Sequence, residues 1–174
     1  MPIIVPLSKE HDRPHFDCGV PALKTFLKAA ARQHGTKGIS RTFVLVEPDA
    51  AAEILGFFTL TLCEVRAGNL PTAYAKKYPE HGLPAVRLAR LAVSLEHRGE
   101  GHGEWLLAEA VHRTVEISNH AGLVGLFVDA KDDSERNFYV KYGFVALPGV
   151  PMTLFLPLAT LRAADRPAPR QSGL

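Results

Sequence analysis

The sequence predicts an α/β protein, and three observations carry that prediction. Apolar runs of strand length alternate along the chain with stretches whose apolar residues recur at helical spacing. The chain has 174 residues, 47 % of them apolar, enough for one domain with a sizeable core. Its longest apolar stretches, residues 54–63 and 88–93, fall far short of a membrane span, and the opening MPIIVPLSKEHD lacks the basic segment and cleavage site of a secretory signal. A cytosolic protein with no membrane association is expected.

Taken in order, IIVPL (residues 3–7) predicts a short first strand. VPALKTFLKAAARQHG (20–35) predicts a helix, with Pro21 at its start, Leu23, Phe26, Leu27 and Ala30 at helical spacing, and Gly35 at its stop. Lys24, Lys28 and Arg32 stand at i, i+4 and i+8, so on a regular helix they line one face. SRTFVLVEP (40–48) and EILGFFTLTLCEV (53–65), separated by the turn-like DAAA, predict a β-hairpin. The connection 66–83 holds Pro71 and Pro79, with Pro84 just beyond, around TAYAKKY, which is either a short helix or a mobile loop.

AVRLARLAVSL (85–95) predicts a strand with both faces largely buried, Val86, Leu88, Arg90 and Ala92 on one side and Arg87, Ala89, Leu91 and Val93 on the other. GEWLLAEAVHRTVEISNHAG (103–122) predicts a helix with Leu106, Ala110, Val111 and Val115 inward. LVGLFVDA (123–130) is apolar enough for a central strand. DSERNFYVKYGF (133–144) predicts a short helix opened by an Asp or Ser cap and stopped by Gly143. MTLFLPL (152–158) closes the fold as a last strand. The polar, Pro-containing RAADRPAPRQSGL then reads as a disordered tail, so the domain is taken as residues 1–162.

Charge is modest overall at +2 but uneven. Residues 8–42 carry seven basic side chains (Lys9, Arg13, Lys24, Lys28, Arg32, Lys37, Arg41) against three acidic ones, a balance that admits an anionic macromolecular partner and equally a solvated helix face. Cys18 and Cys63 make no metal-ligand or CxxC spacing, and the eight histidines show neither HxxxH nor HExxH. No metal site is expected.

The chemistry concentrates in HRGEGHGEWLL (97–107), where Gly99, Gly101 and Gly103 sit between a predicted strand and a predicted helix. The spacing fails the dinucleotide fingerprint, since the third glycine falls on Glu104 or Leu106, and it fails the P-loop, since no G-K-[ST] follows. What remains is a helix N-terminus with free N–H groups and room for an anion, or a tight strand-to-helix turn with no ligand.

Arg98-x-x-Gly101-x-Gly103 in this context resembles the acetyl-CoA signature of the GCN5-related N-acetyltransferases (GNATs), and NFYVKYGF resembles that superfamily's F-Y-x-x-x-G-F element. The resemblance extends from Ile3 to Leu158. It implies a mixed sheet of six to seven strands flanked by about four helices, with splayed strands that bind acetyl-CoA. Leu91, Ala92 and Val93 would pair with the pantetheine arm, and Arg98, Gly99, Gly101 and Gly103 would hold the pyrophosphate, with His102 and Glu104 beside them. His102 is either a phosphate contact or a solvent-facing loop position, and Trp105 is expected in the core. Tyr139 would be the general acid that protonates the departing thiolate, a phenol being protonated at neutral pH. Tyr142 is a runner-up better suited to packing. Where many relatives carry Asn to contact the cofactor, this chain has Asp132, which is not assigned that role.

HFDCGVPALKTFLKAAARQHGTKGISRTFVLVE and RLARLAVSLEHRGEGHGEWLL further resemble the GNAT toxins of toxin–antitoxin pairs. These transfer acetyl to the α-amino group of aminoacyl-tRNA, which then cannot accept the peptide chain. The resemblance implies a ribbon-helix-helix antitoxin and a homodimer. Lys24, Lys28, Arg32 and Arg41 are the candidates for tRNA phosphates, and Arg90 for the acceptor groove or, equally, for an ion pair. An α-amino group, with a pKa near 7.7–8.0, attacks a thioester without the strong base that a lysine near 10.4 requires. Glu64 is the best candidate for such a base, although an exposed strand-end residue fits it better. An acetyltransferase of small-molecule or protein amines, and a CoA-binding subunit acting mainly in a repressor complex, remain as alternatives.

Overall fold

The computed structural model describes residues 1–165. Seven strands form a sheet in the order β1-β2-β3-β4-β5-β7-β6. The chain divides into two compact units, each discontinuous in sequence: Met1–Glu64 with Val86–Ala110, and Val65–Ala85 with the chain from Val111 onward. No helix among the described residues is long and apolar enough to cross a membrane.

In the first unit, β1 (Ile3–Pro6) runs antiparallel to β2 (Arg41–Val46), and β2 antiparallel to β3 (Gly56–Arg66) as the expected hairpin. Register is set by burial. Phe43, Val44, Leu45 and Val46 are all buried, and Thr42 pairs with Thr59 so that their buried hydroxyls satisfy each other at 2.8 Å. Phe16 packs edge-on against Phe57 at 5.5 Å in a core that includes Leu27, Val44 and Ala92.

The helix expected over residues 20–35 is present but interrupted. It consists of α1 (Pro21–Thr25), a π-helical turn over Phe26–Ala30 and α2 (Ala31–Thr36). Ala31 donates its N–H to the Phe26 carbonyl, five residues back, and that wider closure accommodates one extra residue in the turn. Phe26, Leu27 and Ala31 are all buried as a result. Lys24 turns to Asp17 at 3.5 Å, whereas Lys28 and Arg32 line one concavity that Lys24 does not line.

Strand β4 (Gly82–Val93) buries Val86, Leu88 and Ala92, whereas Arg87, Ala89, Leu91 and Val93 are only half-buried, so one face is open rather than both being covered. A 3-10 turn (Leu95–His97) and the glycine loop lead into α4 (His102–Ser118). Leu106, Leu107, Ala110, Val111 and Thr114 form its buried stripe. Trp105 flanks that stripe at 37 % exposure and is not a core residue. The helix stops at Ser118, short of Gly122, with the Ser118 hydroxyl bonded back to the Val115 carbonyl.

In the second unit, TAYAKKY contains one helical turn, α3 (Thr72–Ala75), whose Tyr74 ring meets Phe155 edge-on at 5.5 Å. Strand β5 (Gly125–Asp129), buried except at its last residue, pairs antiparallel with β7 (Val150–Pro157). The expected last strand is the second arm of a hairpin, with β6 (Val145–Leu147) joined to β7 through Pro148-Gly149. After β5 comes α5 (Asp133–Lys141), and after β7 comes α6 (Leu158–Ala164), which the sequence reading did not anticipate. Ala163 and Ala164, expected in the tail, belong to α6, and Asp165 accepts from His112 Nδ1 at 2.9 Å. Residues 166–174 of that tail lie outside the described residues.

Candidate active site

The glycine loop is built to receive an anion. Gly99 and Gly101 have φ of +78° and +81°, a left-handed conformation in which a Cβ is strained, and a Cβ on either would point into open space. These turns deliver the chain to the start of α4, whose first-turn N–H groups have no intrahelical acceptors and carry the positive end of the helix dipole. A cavity of about 540 Å³ opens on the loop, lined by Val93, His97, Arg98, the three glycines, His102 and Glu104. The donor set of backbone amides, dipole and guanidinium suits a pyrophosphate.

Of the three strand residues expected to meet a cofactor arm, Val93 reaches this cavity. Leu91 does not line it, and Ala92 is buried. His102 is not a solvent-facing position: its ring is 7 % exposed, with Nε2 2.9 Å from Glu100 Oε2.

Arg98 is held by the FDCG stretch (residues 16–19), a role that sequence reading did not assign to it. Cys18 is buried, and its carbonyl accepts from Arg98 Nη2 at 3.0 Å. Asp17 Oδ1 accepts the Gly19 amide at 2.9 Å, and the Asp17 carbonyl accepts the Leu95 amide at 2.9 Å. The Gly19 amide first, then the Lys24 and Arg98 cations, hold the Asp17 carboxylate below its ordinary range. Gly19 itself has φ +79°, and a Cβ there would lie 3.2 Å from Leu95 Cδ2 and 3.6 Å from Arg98 Nη2. Residues 16–19 therefore buttress both the 3-10 turn and the loop arginine.

Tyr139, in the second unit, sits in the last turn of α5. Asp132 caps this helix, its Oδ1 accepting the Glu135 amide at 2.8 Å, so it has a local structural task and neither Asp133 nor Ser134 is the cap. At the other end the Gly143 amide donates to Val140 at 3.0 Å and the Phe144 amide to Tyr139 at 3.2 Å, with Gly143 at φ +94°. That bond pair is a Schellman cap, and its usual apolar contact is present as the Phe144 ring 5.3 Å from the Tyr139 ring. The F-Y-x-x-x-G-F pattern thus follows from one helix end folding back on its own tyrosine.

Tyr139 is 2 % exposed. Burial first, and the Glu135 carboxylate second, push its pKa well above the phenol's ordinary value. Tyr142 is the C-cap residue, packed on Phe138 at 5.2 Å beneath the Lys141 ammonium, a packing position.

The basic residues of the first unit line two concavities that share Arg32 and Thr36. One, of about 510 Å³, is lined by Arg13, Lys28, Arg32 and Lys37 among others, and the second, of about 400 Å³, by Lys9, Arg32 and Arg41. Neither has an acidic lining residue. Lys28, Arg32, Lys37 and Arg41 make no ion pair among the described residues. Two cations have backbone anchors, Arg13 on the Lys28 carbonyl at 3.0 Å and Arg41 on the Gly35 carbonyl.

Lys24 does not join this group; it pairs with Asp17 at 3.5 Å. Arg90 makes no ion pair among the described residues either. Its guanidinium lies 3.5 Å from the Phe26 ring centroid, and burial disfavours its charge. Glu64 is exposed on β3.

A family model described as an acetyltransferase (GNAT) domain matches residues 38–146. The chain is 31 % identical over 157 residues to a tRNA-acetylating toxin of Mycobacterium tuberculosis, covering 90 % of this chain and 92 % of that one. It is 30 % identical over 170 residues to the probable toxin TacT of Sinorhizobium fredii, covering 92 % and 93 %. Among solved structures it is similar to AtaT complexed with acetyl-methionyl-tRNAfMet, with a TM-score of 0.87, 30 % identity, and coverage of 94 % of this chain and 98 % of that one. It also resembles a tyrosine-to-phenylalanine mutant of AtaT bound to the C-terminus of the antitoxin AtaR and acetyl-CoA, with a TM-score of 0.79, 28 % identity, and coverage of 93 % and 96 %.

Proposed function

The chain belongs to the GNAT acetyltransferases, and from that premise we propose that it transfers acetyl from acetyl-CoA to the α-amino group of aminoacyl-tRNA, acting as a translation-blocking toxin. The observation that carries the acceptor is the pair of basic concavities without an acidic lining residue, suited to a polyphosphate backbone. The similarity to AtaT in complex with acetyl-methionyl-tRNAfMet supports the same acceptor.

Acetyl-CoA, when bound, supplies an acetyl group activated as a thioester. The loop amides at Gly99, Gly101 and Gly103 and the Arg98 guanidinium bind and orient its pyrophosphate, with Glu104 at the cavity wall and Leu91, Ala92 and Val93 contributing the strand edge. Tyr139 holds a proton at Oη at pH values where a solvated phenol has begun to lose it, the property required of an acid for a thiolate leaving group. No strong base is needed, because an α-amino group with a pKa near 7.7–8.0 is substantially neutral at cellular pH. Lys28, Arg32 and Arg41 take the tRNA phosphates, and Arg90, kept in place by Phe26, presents its guanidinium to the acceptor end. An antitoxin of ribbon-helix-helix type neutralises the enzyme, which acts in the cytoplasm as a homodimer.

The test is transfer of labelled acetyl from acetyl-CoA to bulk charged tRNA, with wild type and Tyr139→Phe in parallel. Label on the aminoacyl group with wild type alone is the expected result. Absence of label from tRNA, with acetyl-CoA still bound, overturns the acceptor assignment.

A further inference from the structure

We propose that His97, Glu100 and His102 form a binding site for a divalent transition-metal ion of the zinc class. One donor atom from each of these side chains lies within 4.8 Å of the others. His102 Nε2 is 2.9 Å and His97 Nδ1 is 3.3 Å from the same Glu100 oxygen, Oε2. Around a tetrahedral zinc, with bonds of about 2.0–2.2 Å, neighbouring donors stand about 3.4 Å apart, so the three atoms need only small shifts to close on an ion. Two imidazoles and a carboxylate are a donor set that selects zinc, cobalt or nickel over magnesium or calcium.

The surroundings support the ion as well as the donors do. His97 turns its other nitrogen, Nε2, to Glu53 Oε1 at 3.3 Å, the carboxylate–histidine arrangement that orients a metal-bound imidazole. His102 is nine-tenths buried, and its Nδ1 has no hydrogen-bond partner among the described residues, so the ring's polar engagement is the nitrogen that faces the cluster. Three protein ligands leave a fourth position, and the cavity that both histidines line gives water or an exogenous donor access to it. The helix and protease spacings of histidine do not reveal this site, because the donors converge through the turn made by Gly99 and Gly101.

Cobalt(II) titration of the untagged full chain, followed by visible absorption, tests it. One equivalent should bind with the intense bands of a four-coordinate nitrogen–oxygen site, and zinc should displace it. Glu100→Gln and His97→Gln, both outside the core, should weaken binding at least tenfold and abolish the bands. Glu53→Gln should weaken it about tenfold through the outer contact, and His112→Ala, at the separate His112–Asp165 pair, should bind as wild type. His102→Ala is a further variant, and the result does not depend on its folding. Wild-type affinity and spectrum in Glu100→Gln and His97→Gln, or wild type without visible bands, overturn the proposal.

Discussion

The guanidinium of Arg98 donates to the carbonyl of Cys18 at 3.0 Å, joining the glycine loop to a stretch eighty residues earlier in the chain. On the function proposed above, cofactor affinity is expected to be sensitive to residues that never meet the cofactor. Arg98→Ala, which removes a charge-assisted hydrogen bond worth about 1.5–3 kcal/mol, should weaken acetyl-CoA binding at least tenfold in calorimetric titration. Gly19→Ala should weaken it by a smaller factor, because a left-handed alanine costs about 1–2 kcal/mol and its Cβ would crowd Leu95.

Tyr139→Phe keeps the buried ring and removes the proton. Turnover should fall by about 10²–10⁴-fold, the usual worth of a general acid, with the acetyl-CoA dissociation constant unchanged. The pH dependence has a defined sign. The folded-state pKa lies above the unfolded value near 10, so the associated stability is fully present below pH 10 and is lost as pH rises through the folded pKa. Thermal melts from pH 9 to 11.5 should show wild type losing stability over that range more steeply than Tyr139→Phe.

Both ends of α5 make separable predictions. Asp132→Ala should cost about 1 kcal/mol in denaturant unfolding through loss of the cap, while Asp132→Asn, an equally good cap, should be near neutral. The interchange of Asp and Asn at this position needs no cofactor contact to explain it. Gly143→Ala should cost about 1–2 kcal/mol, since it forces a side chain into φ +94° and disturbs the turn that sets Phe144 against Tyr139.

Acceptor binding should separate from cofactor binding. Arg32→Ala and Lys28→Ala should each reduce the slope of log affinity for tRNA against log salt by about 1, leaving acetyl-CoA binding unchanged. Lys24→Ala should leave the salt slope intact, because Lys24 is engaged with Asp17. Equal slopes for all three variants and wild type, in filter binding at graded salt, would place the tRNA elsewhere.

Features encoded within one element were legible in the sequence. The apolar runs of β2 and β3, the glycine stop of α5 and the glycine loop before α4 are local patterns, and each lies where its spacing indicates, whereas the cap of α5 falls on Asp132, just ahead of the Asp and Ser expected to open it. What was missed depends on distant partners. Nothing near Cys18 announces that its carbonyl will receive Arg98, and nothing near His97 announces Glu53. The π turn was hidden because Leu23, Phe26, Leu27 and Ala30 satisfy a regular helical period, and the choice is made by burying Phe26, Leu27 and Ala31 together. Helix α6 escaped notice because it is only seven residues long and anchors through one buried residue, Leu161.

The widened turn between Phe26 and Ala30 also bears on how such a protein diversifies. Removing one residue there would restore a continuous helix and reset the direction of Lys28, which lies inside the turn, while Arg32, on α2, keeps its place. Gain or loss of a single codon could thus re-aim part of the basic surface while Arg98, the glycine loop and Tyr139 keep their sequence and local supports. Acceptor choice and acetyl chemistry would then be free to evolve on separate tracks.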